Sequence, residues 1–281
     1  MKVIHTIKDL QAELTALRAQ GKKVGLVPTM GALHAGHASL VKRSVSENGV
    51  TVVSVFVNPT QFNDKNDLAK YPRTLDADCR LLEDCGAAFA FAPSVEEMYP
   101  QPDTREFSYA PLDTVMEGAF RPGHFNGVCQ IVSKLFDAVQ PDRAYFGEKD
   151  FQQLAIIREM VRQMDYKLEI VGCPIVREED GLAKSSRNTY LSKDERKAAL
   201  ILSKAVKLGE DMAKAGEKDT DKIVSEMIKL IETEPMAKID YVQAVDAVSV
   251  KPVKEMTAPV LVAMAVYIGK TRLIDNFIYE G

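Results

Sequence analysis

The chain has 281 residues and a formal net charge of −4, with 46% hydrophobic and 27% charged residues. This composition is typical of an ordinary globular protein, and the length is sufficient for two domains. The acidic balance argues against a general nucleic-acid binder, which would carry a basic surface. The first residues contain no apolar segment of signal-peptide length, and the longest apolar run, 260–268, is too short to cross a bilayer. We therefore expect a cytoplasmic protein.

The first 60 residues alternate between helical and strand patterns. Leu10, Leu14 and Leu17 have helical spacing and predict a helix over 7–20, with Thr6 as its N-cap. The apolar run 24–27 predicts a strand, residues 38–47 a helix, and 51–57, rich in β-branched residues, a strand covered on both faces. Strand, helix and strand in this order predict a right-handed parallel unit. Open α/β sheets bind ligands at the edge where such strands end.

The motif PTMGALHAGH (28–37) lies between the first of these strands and the helix. A helix start offers unpaired backbone N–H groups and the positive end of the helix dipole, both of which favour anions. Gly31 and Gly36 allow a ligand to approach the backbone, and His34 and His37 can donate hydrogen bonds to phosphate oxygens. A single histidine here would more often be structural, but the pair predicts a phosphate site.

Asn58 and Gln61 follow the second strand, at the same predicted sheet edge. In isolation, this loop would more often be a turn whose amides bond to backbone. Its position beside the histidine motif instead favours contact with a substrate.

The segment GAFRPGHFNG (118–127) precedes a helical stripe formed by Val128, Ile131, Val132, Leu135 and Phe136. Arg121 and His124 can bind a carboxylate or phosphate, or they can cap the following helix. The local sequence leaves both alternatives open.

Two later loops carry further cations. Gly147-Glu148-Lys149-Asp150 follows a strand at 144–146, and Lys149 can reach a phosphate as a point charge. Asp150 can cap the next helix, hold Lys149 or hold a magnesium-bound water. In DGLAKSSRN (180–188), Lys184 and Arg187 can embrace a polyphosphate to which Ser185 and Ser186 donate hydrogen bonds. The alternative is an exposed basic turn leading to a helix capped near Ser192.

The last 90 residues differ in pattern from the rest of the chain. Two helical segments, 193–214 and 219–233, precede three strand-like runs, 239–245, 260–268 and 272–279. This pattern predicts a smaller α+β domain with no catalytic cluster. The four cysteines, at 79, 85, 129 and 173, lack C-x-x-C spacing, and we expect reduced core thiols.

An HxGH motif after the first strand of such a sheet, with a Lys-Ser-Ser loop late in the domain, resembles the adenylate-forming nucleotidyltransferase superfamily. Within it, the chain is similar to the pantoate–β-alanine ligase family in six ordered blocks: PTMGALHAGH, FVNPTQF, YPRT, FRPGHFNGV, YFGEKDFQQL and DGLAKSSRNTYLS. The resemblance covers nearly the whole chain. Family members usually carry methionine where this chain has Lys184.

The resemblance implies a Rossmann-like parallel sheet with helices on both faces in an ATP- and pantoate-binding domain, residues 1–175. A smaller C-terminal α+β domain, 176–281, would close over the active site. The implied reaction joins pantoate to β-alanine with ATP, through a pantoyl adenylate, giving pantothenate, AMP and pyrophosphate. The family uses magnesium, for which we expect no dedicated protein ligands, and forms homodimers. We expect no nucleic-acid or membrane partner.

The resemblance also implies roles for individual residues. His37 is the implied proton donor, Gln61 and Gln153 hold pantoate, and Gln61 also contacts β-alanine. The implied ATP-binding residues are Met30, Gly31, Ala32, Leu33, His34, Ala35, Gly36, His37, Gly147, Glu148, Lys149, Asp150, Val176, Lys184, Ser185, Ser186 and Arg187. We add Asn58, Arg121 and His124 as candidate substrate contacts.

The residue chemistry agrees with carboxylate adenylation. The step concentrates negative charge on phosphate oxygens, so it needs cations and hydrogen-bond donors rather than a nucleophilic side chain. The candidate catalytic residues are His34, His37, Lys149, Ser185, Ser186 and Arg187. The alternatives are a cytidylyltransferase, an aminoacyl-tRNA synthetase remnant and a non-catalytic nucleotide-binding module, which would bind ATP without turnover.

Overall fold

A six-stranded parallel sheet, in the order β1-β4-β3-β2-β5-β6, forms the centre of the N-terminal part of the chain. The structure is a computed structural model that describes residues 1–63, 65–257 and 259–281. The strands are β1 Lys2–Ile4, β2 Val24–Thr29, β3 Val50–Val55, β4 Phe89–Phe91, β5 Arg143–Gly147 and β6 Glu169–Cys173. The first four residues of β2 and the first five of β3 are buried in succession, which explains why their sequences lack polar–apolar alternation.

Helices alternate with these strands along the chain. They are α1 Ile7–Ala19, α2 Ala35–Glu47, α3 Lys65–Lys70, α4 Leu75–Asp84, α5 Val95–Met98, α6 Glu117–Phe120, α7 His124–Val139 and α8 Phe151–Gln163. The predicted N-cap is confirmed for α1, where Thr6 accepts the backbone N–H of Asp9. The predicted start of α2 near Ala38 is wrong, because His34 caps this helix and places Gly36 and His37 in its first turn.

A three-stranded antiparallel sheet forms the centre of the C-terminal part. Its strands, in the order β7-β8-β9, are β7 Ala237–Asp246, β8 Val260–Ile268 and β9 Thr271–Tyr279. Three helices accompany them, α9 Lys193–Ala198, α10 Leu200–Lys214 and α11 Thr220–Ile231. Ser192 and Glu195 form a capping box at the start of α9, so the cap predicted there is confirmed. The predicted single helix over 193–214 is two helices in the structure.

The described residues group into two compact units. The first comprises Met1–Asp113, Arg121–Glu148 and Gln153–Pro174, and the second Thr114–Phe120, Lys149–Gln152 and Ile175–Gly281. The α/β sheet and the smaller α+β portion confirm the predicted fold class. No helix among the described residues is long and apolar enough to span a membrane.

All four cysteines are free thiols, three of them buried and Cys79 partly exposed. Burial raises the pKa of Cys129 to about 12. The expectation of unlinked core thiols is confirmed for Cys85, Cys129 and Cys173.

Candidate active site

The loop between β2 and α2 has a strained backbone. Gly31 and Ala32 both adopt positive φ, +78° and +50°, a region that disfavours residues with a Cβ atom. A Cβ on Gly31 would also lie 3.0 Å from Asp78 Oδ2 and 3.1 Å from Val55 Cγ1. Conformation and space therefore both favour glycine at position 31.

The two histidines of the motif hold each other in place. The Gly36 N–H donates to His34 Nδ1 over 3.1 Å, and the His34 N–H donates to His37 Nδ1 over 3.3 Å. The ring centroids lie 4.1 Å apart. Because each Nδ1 accepts a hydrogen bond, each neutral ring carries its proton on Nε2. The helix start thus orients two Nε2–H donors.

The protein itself engages several backbone amides of this loop. The Gly31 N–H donates to Thr29 Oγ1, and the N–H groups of Ala32 and Leu33 donate to the Asp78 carboxylate. These three amides precede the start of α2 at Ala35, where the sequence predicts anion binding. The histidine rings are therefore better placed than these amides to serve as phosphate donors.

Gln61 lies in a short 3-10 turn, Pro59–Gln61, after β3, the sheet neighbour of β2. Asn58 is 1% exposed and donates to Gln61 Oε1 over 3.0 Å and to the Gly127 carbonyl over 3.1 Å. Its own Oδ1 accepts the Tyr99 hydroxyl over 2.8 Å. The geometry gives Asn58 a positioning role and leaves Gln61 Nε2 without a partner among the described residues.

Helix α7 packs tightly against this turn. A Cβ on Gly127 would lie 2.5 Å from the Thr60 carbonyl oxygen, so only glycine fits there. His124 is 6% exposed; its Nδ1 donates to the Gln61 carbonyl over 2.8 Å, and its Nε2 accepts Arg121 Nη1 over 3.0 Å. Both ring nitrogens of His124 therefore have protein partners, and His124 ties α7 to the Gln61 turn.

Adjacent glutamines at the start of α8 differ in their contacts. Gln152 is 4% exposed, accepts the Glu117 N–H and donates to the Val115 carbonyl. The side chain of Gln153 is half-buried and makes no hydrogen bond to the residues that the structure describes. The pattern favours a structural role for Gln152 and leaves the Gln153 amide for a ligand.

Lys149 lies in a 3-10 turn, Glu148–Asp150. Its ammonium group lies 3.6 Å from the Asp150 carboxylate, and its side chain is 18% exposed. Asn276 Nδ2 donates to the Lys149 carbonyl over 2.9 Å. Before this turn, a Cβ on Gly147 would meet no atom within 4 Å, so the backbone there borders open space.

The chain folds back on itself between Val176 and Lys184. The Lys184 N–H donates to the Val176 carbonyl over 2.9 Å, and Gly181 turns the chain with a φ of +94°. These two residues, both implied in ATP binding, are therefore paired although eight positions separate them. Next to them, Ser185 caps the 3-10 turn Ser186–Tyr190 by accepting the Arg187 N–H.

The cation of Lys184 lies 3.5 Å from Glu178 Oε2. Burial alone would raise the pKa of Glu178, but a hydrogen bond from Asn188 and the charges of Lys184 and Arg196 outweigh it and lower that pKa. Glu178 is therefore ionised at neutral pH and holds Lys184 at this end of the loop.

Two consecutive residues of β9 hold the Lys149 turn and the loop at Arg177 in place. No sequence pattern pointed to either of them. Asp275 is 2% exposed, and its carboxylate accepts hydrogen bonds from Arg177 Nη1 and Nη2 over 2.7 and 2.9 Å. Asn276 is 4% exposed and holds Lys149 as described above. Strand β9 therefore anchors both the Lys149 turn and the loop at Arg177. A pattern search could not find this support, because the partners lie about 100 residues away in the chain.

Within residues 1–63, 65–257 and 259–281, no group of three or more His, Cys, Asp or Glu side chains could hold a metal ion. Mg²⁺ commonly binds through substrate phosphates with one or two carboxylates. The Asp150 side chain is 51% exposed beside Lys149 and fits such a role.

The chain matches a known family over almost its whole length. A family model described as pantoate-beta-alanine ligase matches residues 2–278. The chain is 76% identical over 283 residues to the pantothenate synthetase of Bacteroides thetaiotaomicron, which covers 100% of this chain and 99% of the relative. It is 64% identical over 285 residues to the pantothenate synthetase of Phocaeicola vulgatus, with 100% of both covered.

Two solved structures are similar to the chain. The crystal structure of pantothenate synthetase from Thermus thermophilus has a TM-score of 0.95 at 43% identity and covers 100% of both chains. A pantoate-beta-alanine ligase from Francisella tularensis, solved with beta-gamma ATP and beta-alanine, has a TM-score of 0.82 at 34% identity. That likeness covers 100% of this chain and 98% of the other.

Proposed function

Because this chain belongs to the pantoate–β-alanine ligase family, we propose that its site joins pantoate to β-alanine through a pantoyl adenylate. The chain is an ATP-dependent ligase. In the first step, a pantoate carboxylate oxygen attacks the α-phosphorus of ATP, and the bond to the β-phosphate breaks to release pyrophosphate. In the second step, the β-alanine amine attacks the acyl carbon, loses a proton and displaces AMP.

The pair of imidazoles at the start of α2 is the observation that carries this proposal. Pyrophosphate departs with additional negative charge, so the transition state is stabilised by fixed donors near the phosphates. His34 and His37, each with Nδ1 accepting a backbone N–H, supply two Nε2–H groups with set orientations. In this mechanism His37 donates to the phosphate oxygens as charge develops there, and His34 orients it.

Gln61 and Gln153 hold pantoate. Asn58 donates to Gln61 Oε1, so the Nε2 hydrogens of Gln61 are directed to the ligand. An amide is suited to a hydroxylated acid because it both donates and accepts hydrogen bonds. Gln61 also contacts β-alanine, while Asn58 and His124 keep the Gln61 turn in place.

The remaining ATP contacts come from the Lys149 turn and the segment Lys184–Arg187. Lys149 and Arg187 compensate phosphate charge, and the hydroxyls of Ser185 and Ser186 donate to phosphate oxygens. Lys184 contributes a further cation whose position Glu178 fixes. Val176 and Gly147 contribute backbone to the nucleotide site.

Magnesium, when bound to ATP, would neutralise phosphate charge as pyrophosphate leaves. Asp150 is the carboxylate that would hold it, directly or through water, with the phosphates supplying other ligands. We further propose a cytoplasmic homodimer, and two domains divided near residue 175.

Pyrophosphate–ATP exchange tests the proposal. With pantoate present and β-alanine absent, labelled pyrophosphate should enter ATP, because adenylation is reversible until the amine arrives. Exchange that does not depend on pantoate, or that CTP supports better than ATP, would refute it. ATP binding without any exchange would instead indicate a non-catalytic module.

A paired substitution tests the histidine assignment. His37→Ala should reduce exchange by about 10²- to 10³-fold, the usual loss when one transition-state donor is removed. His5→Ala is the matched control, since His5 is an exposed histidine that bonds to the Ala92 carbonyl. Unimpaired exchange in His37→Ala would remove this residue from the mechanism.

A further inference from the structure

Asp78, on α4, carries a carboxylate that is buried beneath the histidine loop. The residue is 2% exposed. Its Oδ2 accepts the Ala32 N–H over 3.1 Å, and its Oδ1 accepts the Leu33 N–H over 2.8 Å and the Thr74 hydroxyl over 3.2 Å. One carboxylate therefore binds two successive backbone amides that lie 45 and 46 residues away in the chain.

These two amides belong to the strained part of the loop. Ala32 has a φ of +50°, which costs energy for a residue with a Cβ atom, and Gly31 before it has a φ of +78°. Such a conformation persists only where surrounding groups enforce it. Here the hydrogen bonds to Asp78 hold the backbone at Ala32 in this conformation.

A cavity of about 290 Å³ borders the loop on this side, and its walls include Met30, Gly31, Val55, Thr74 and Asp78. The carboxylate bonds the loop backbone at the border of this cavity.

Successive backbone N–H groups at a turn form a concavity that binds anions. Asp78 fills this concavity with an anion that belongs to the protein. The Ala32 and Leu33 amides are therefore already engaged by a carboxylate of the protein.

We propose that Asp78 is a positioning residue, which fixes the ATP-binding loop so that His34 and His37 meet the phosphates. The link is short: Leu33 directly precedes His34, which caps α2 and bonds to His37. This inference rests on the proposed adenylation function, and it assigns to Asp78 no contact with substrate.

Two substitutions test it in the exchange assay. In Asp78→Asn, which keeps the size of the side chain, an NH₂ group would face one of the two N–H donors. A misplacement of about 1 Å costs on the order of 10²-fold in rate. We expect kcat to fall about 30- to 100-fold on that basis, with the KM for pantoate nearly unchanged. In Asp78→Ala, sodium formate should restore at least part of the lost kcat, because formate can occupy the space that opens beside the cavity. The same concentration of sodium chloride should not.

Asp142 provides the matched control at the other end of β2. Its carboxylate accepts the Val24 N–H over 2.8 Å and pairs with Lys23. Like Asp78, Asp142 therefore accepts a backbone N–H beside β2. Asp142→Asn and Asp142→Ala should keep the wild-type kcat, and formate should not alter it.

The outcomes separate the two proposals. Wild-type kcat in Asp78→Asn overturns the inference. So does a loss that equals the unfolded fraction in urea titrations, or one that the Asp142 variants share. If the wild-type protein itself shows no pantoate-dependent exchange, the proposed function fails instead.

Discussion

The variant Asn58→Ala distinguishes two roles. Asn58 holds the Gln61 amide in position, and Gln61 binds the substrate. The Asn58 amide is buried and donates to Gln61 Oε1 and to the Gly127 carbonyl, while accepting the Tyr99 hydroxyl. In Asn58→Ala, Gln61 keeps its chemical groups but loses the hydrogen bond that fixes its amide. With the folded fraction measured in parallel, a change in pantoate binding therefore reports on the orientation of Gln61.

The expected magnitudes follow from these contacts. Asn58→Ala removes the hydrogen bonds to the Gly127 carbonyl and the Tyr99 hydroxyl. Each hydrogen bond contributes about 0.5–1.5 kcal/mol net, so the free energy of unfolding should fall by about 2 kcal/mol. A glutamine side chain released from one rotamer regains up to about 1.5–2 kcal/mol of entropy. Fixing it again on binding should raise the KM for pantoate about tenfold.

The assay is pyrophosphate exchange at varied pantoate concentration, with urea unfolding of the same samples. Asn48→Ala is the matched control, because Asn48 also donates to a backbone carbonyl and contacts a tyrosine hydroxyl, those of Ser44 and Tyr145. It should lose stability and keep the KM for pantoate. An unchanged KM in Asn58→Ala, or an equal rise in Asn48→Ala, would refute the reasoning.

Two further predictions concern charged groups. Lys184→Met should raise the KM for ATP less than about fivefold, because Lys184 is 30% exposed and already paired with Glu178. Arg187→Met should raise the KM for ATP far more. An equal rise in both variants would make Lys184 an essential phosphate ligand. Hydrogen bonds from Arg105 lower the pKa of Asp103 to about 2. This carboxylate therefore stabilises the fold above about pH 4 and loses its contribution as the pH falls toward 2. Asp103→Asn should cost about 2 kcal/mol at pH 7 and less at pH 3 in urea unfolding, and an equal cost at both would contradict this.

Patterns within a few residues could be predicted from the sequence. The β-branched run of β3 identified a strand covered on both faces, and the apolar stripe of α7 identified its buried face. All five predicted stripe residues of α7 are buried. These features depend on local periodicity, which the sequence displays directly.

Short elements could not be predicted from the sequence, because their stability comes from partners elsewhere in the chain. Strand β1 has three residues and exists through its parallel pairing with β4. The two halves of the predicted helix 193–214 divide at Ala199, where no proline or glycine marks a break. Such boundaries are set by packing and are weakly encoded in local sequence.

The supporting contacts of the candidate site were the least accessible to sequence reasoning. Asp78 lies 46 residues from Ala32, and Asp275 lies 98 residues from its partner Arg177. In the sequence, Asp78 is one of several acidic residues in a helix, and nothing distinguishes it. Only the fold brings its carboxylate under the loop. The ligand-facing motifs were visible because their residues cluster in sequence.

Transfer of ¹⁸O tests the adenylate mechanism most directly. Pantoate labelled with ¹⁸O in its carboxylate is incubated with ATP, β-alanine and the protein, and the AMP is analysed by mass spectrometry. If the carboxylate attacks the α-phosphorus and the amine then breaks the acyl C–O bond, AMP carries one ¹⁸O atom. Unlabelled AMP, with the label found in pyrophosphate or phosphate, would contradict the account.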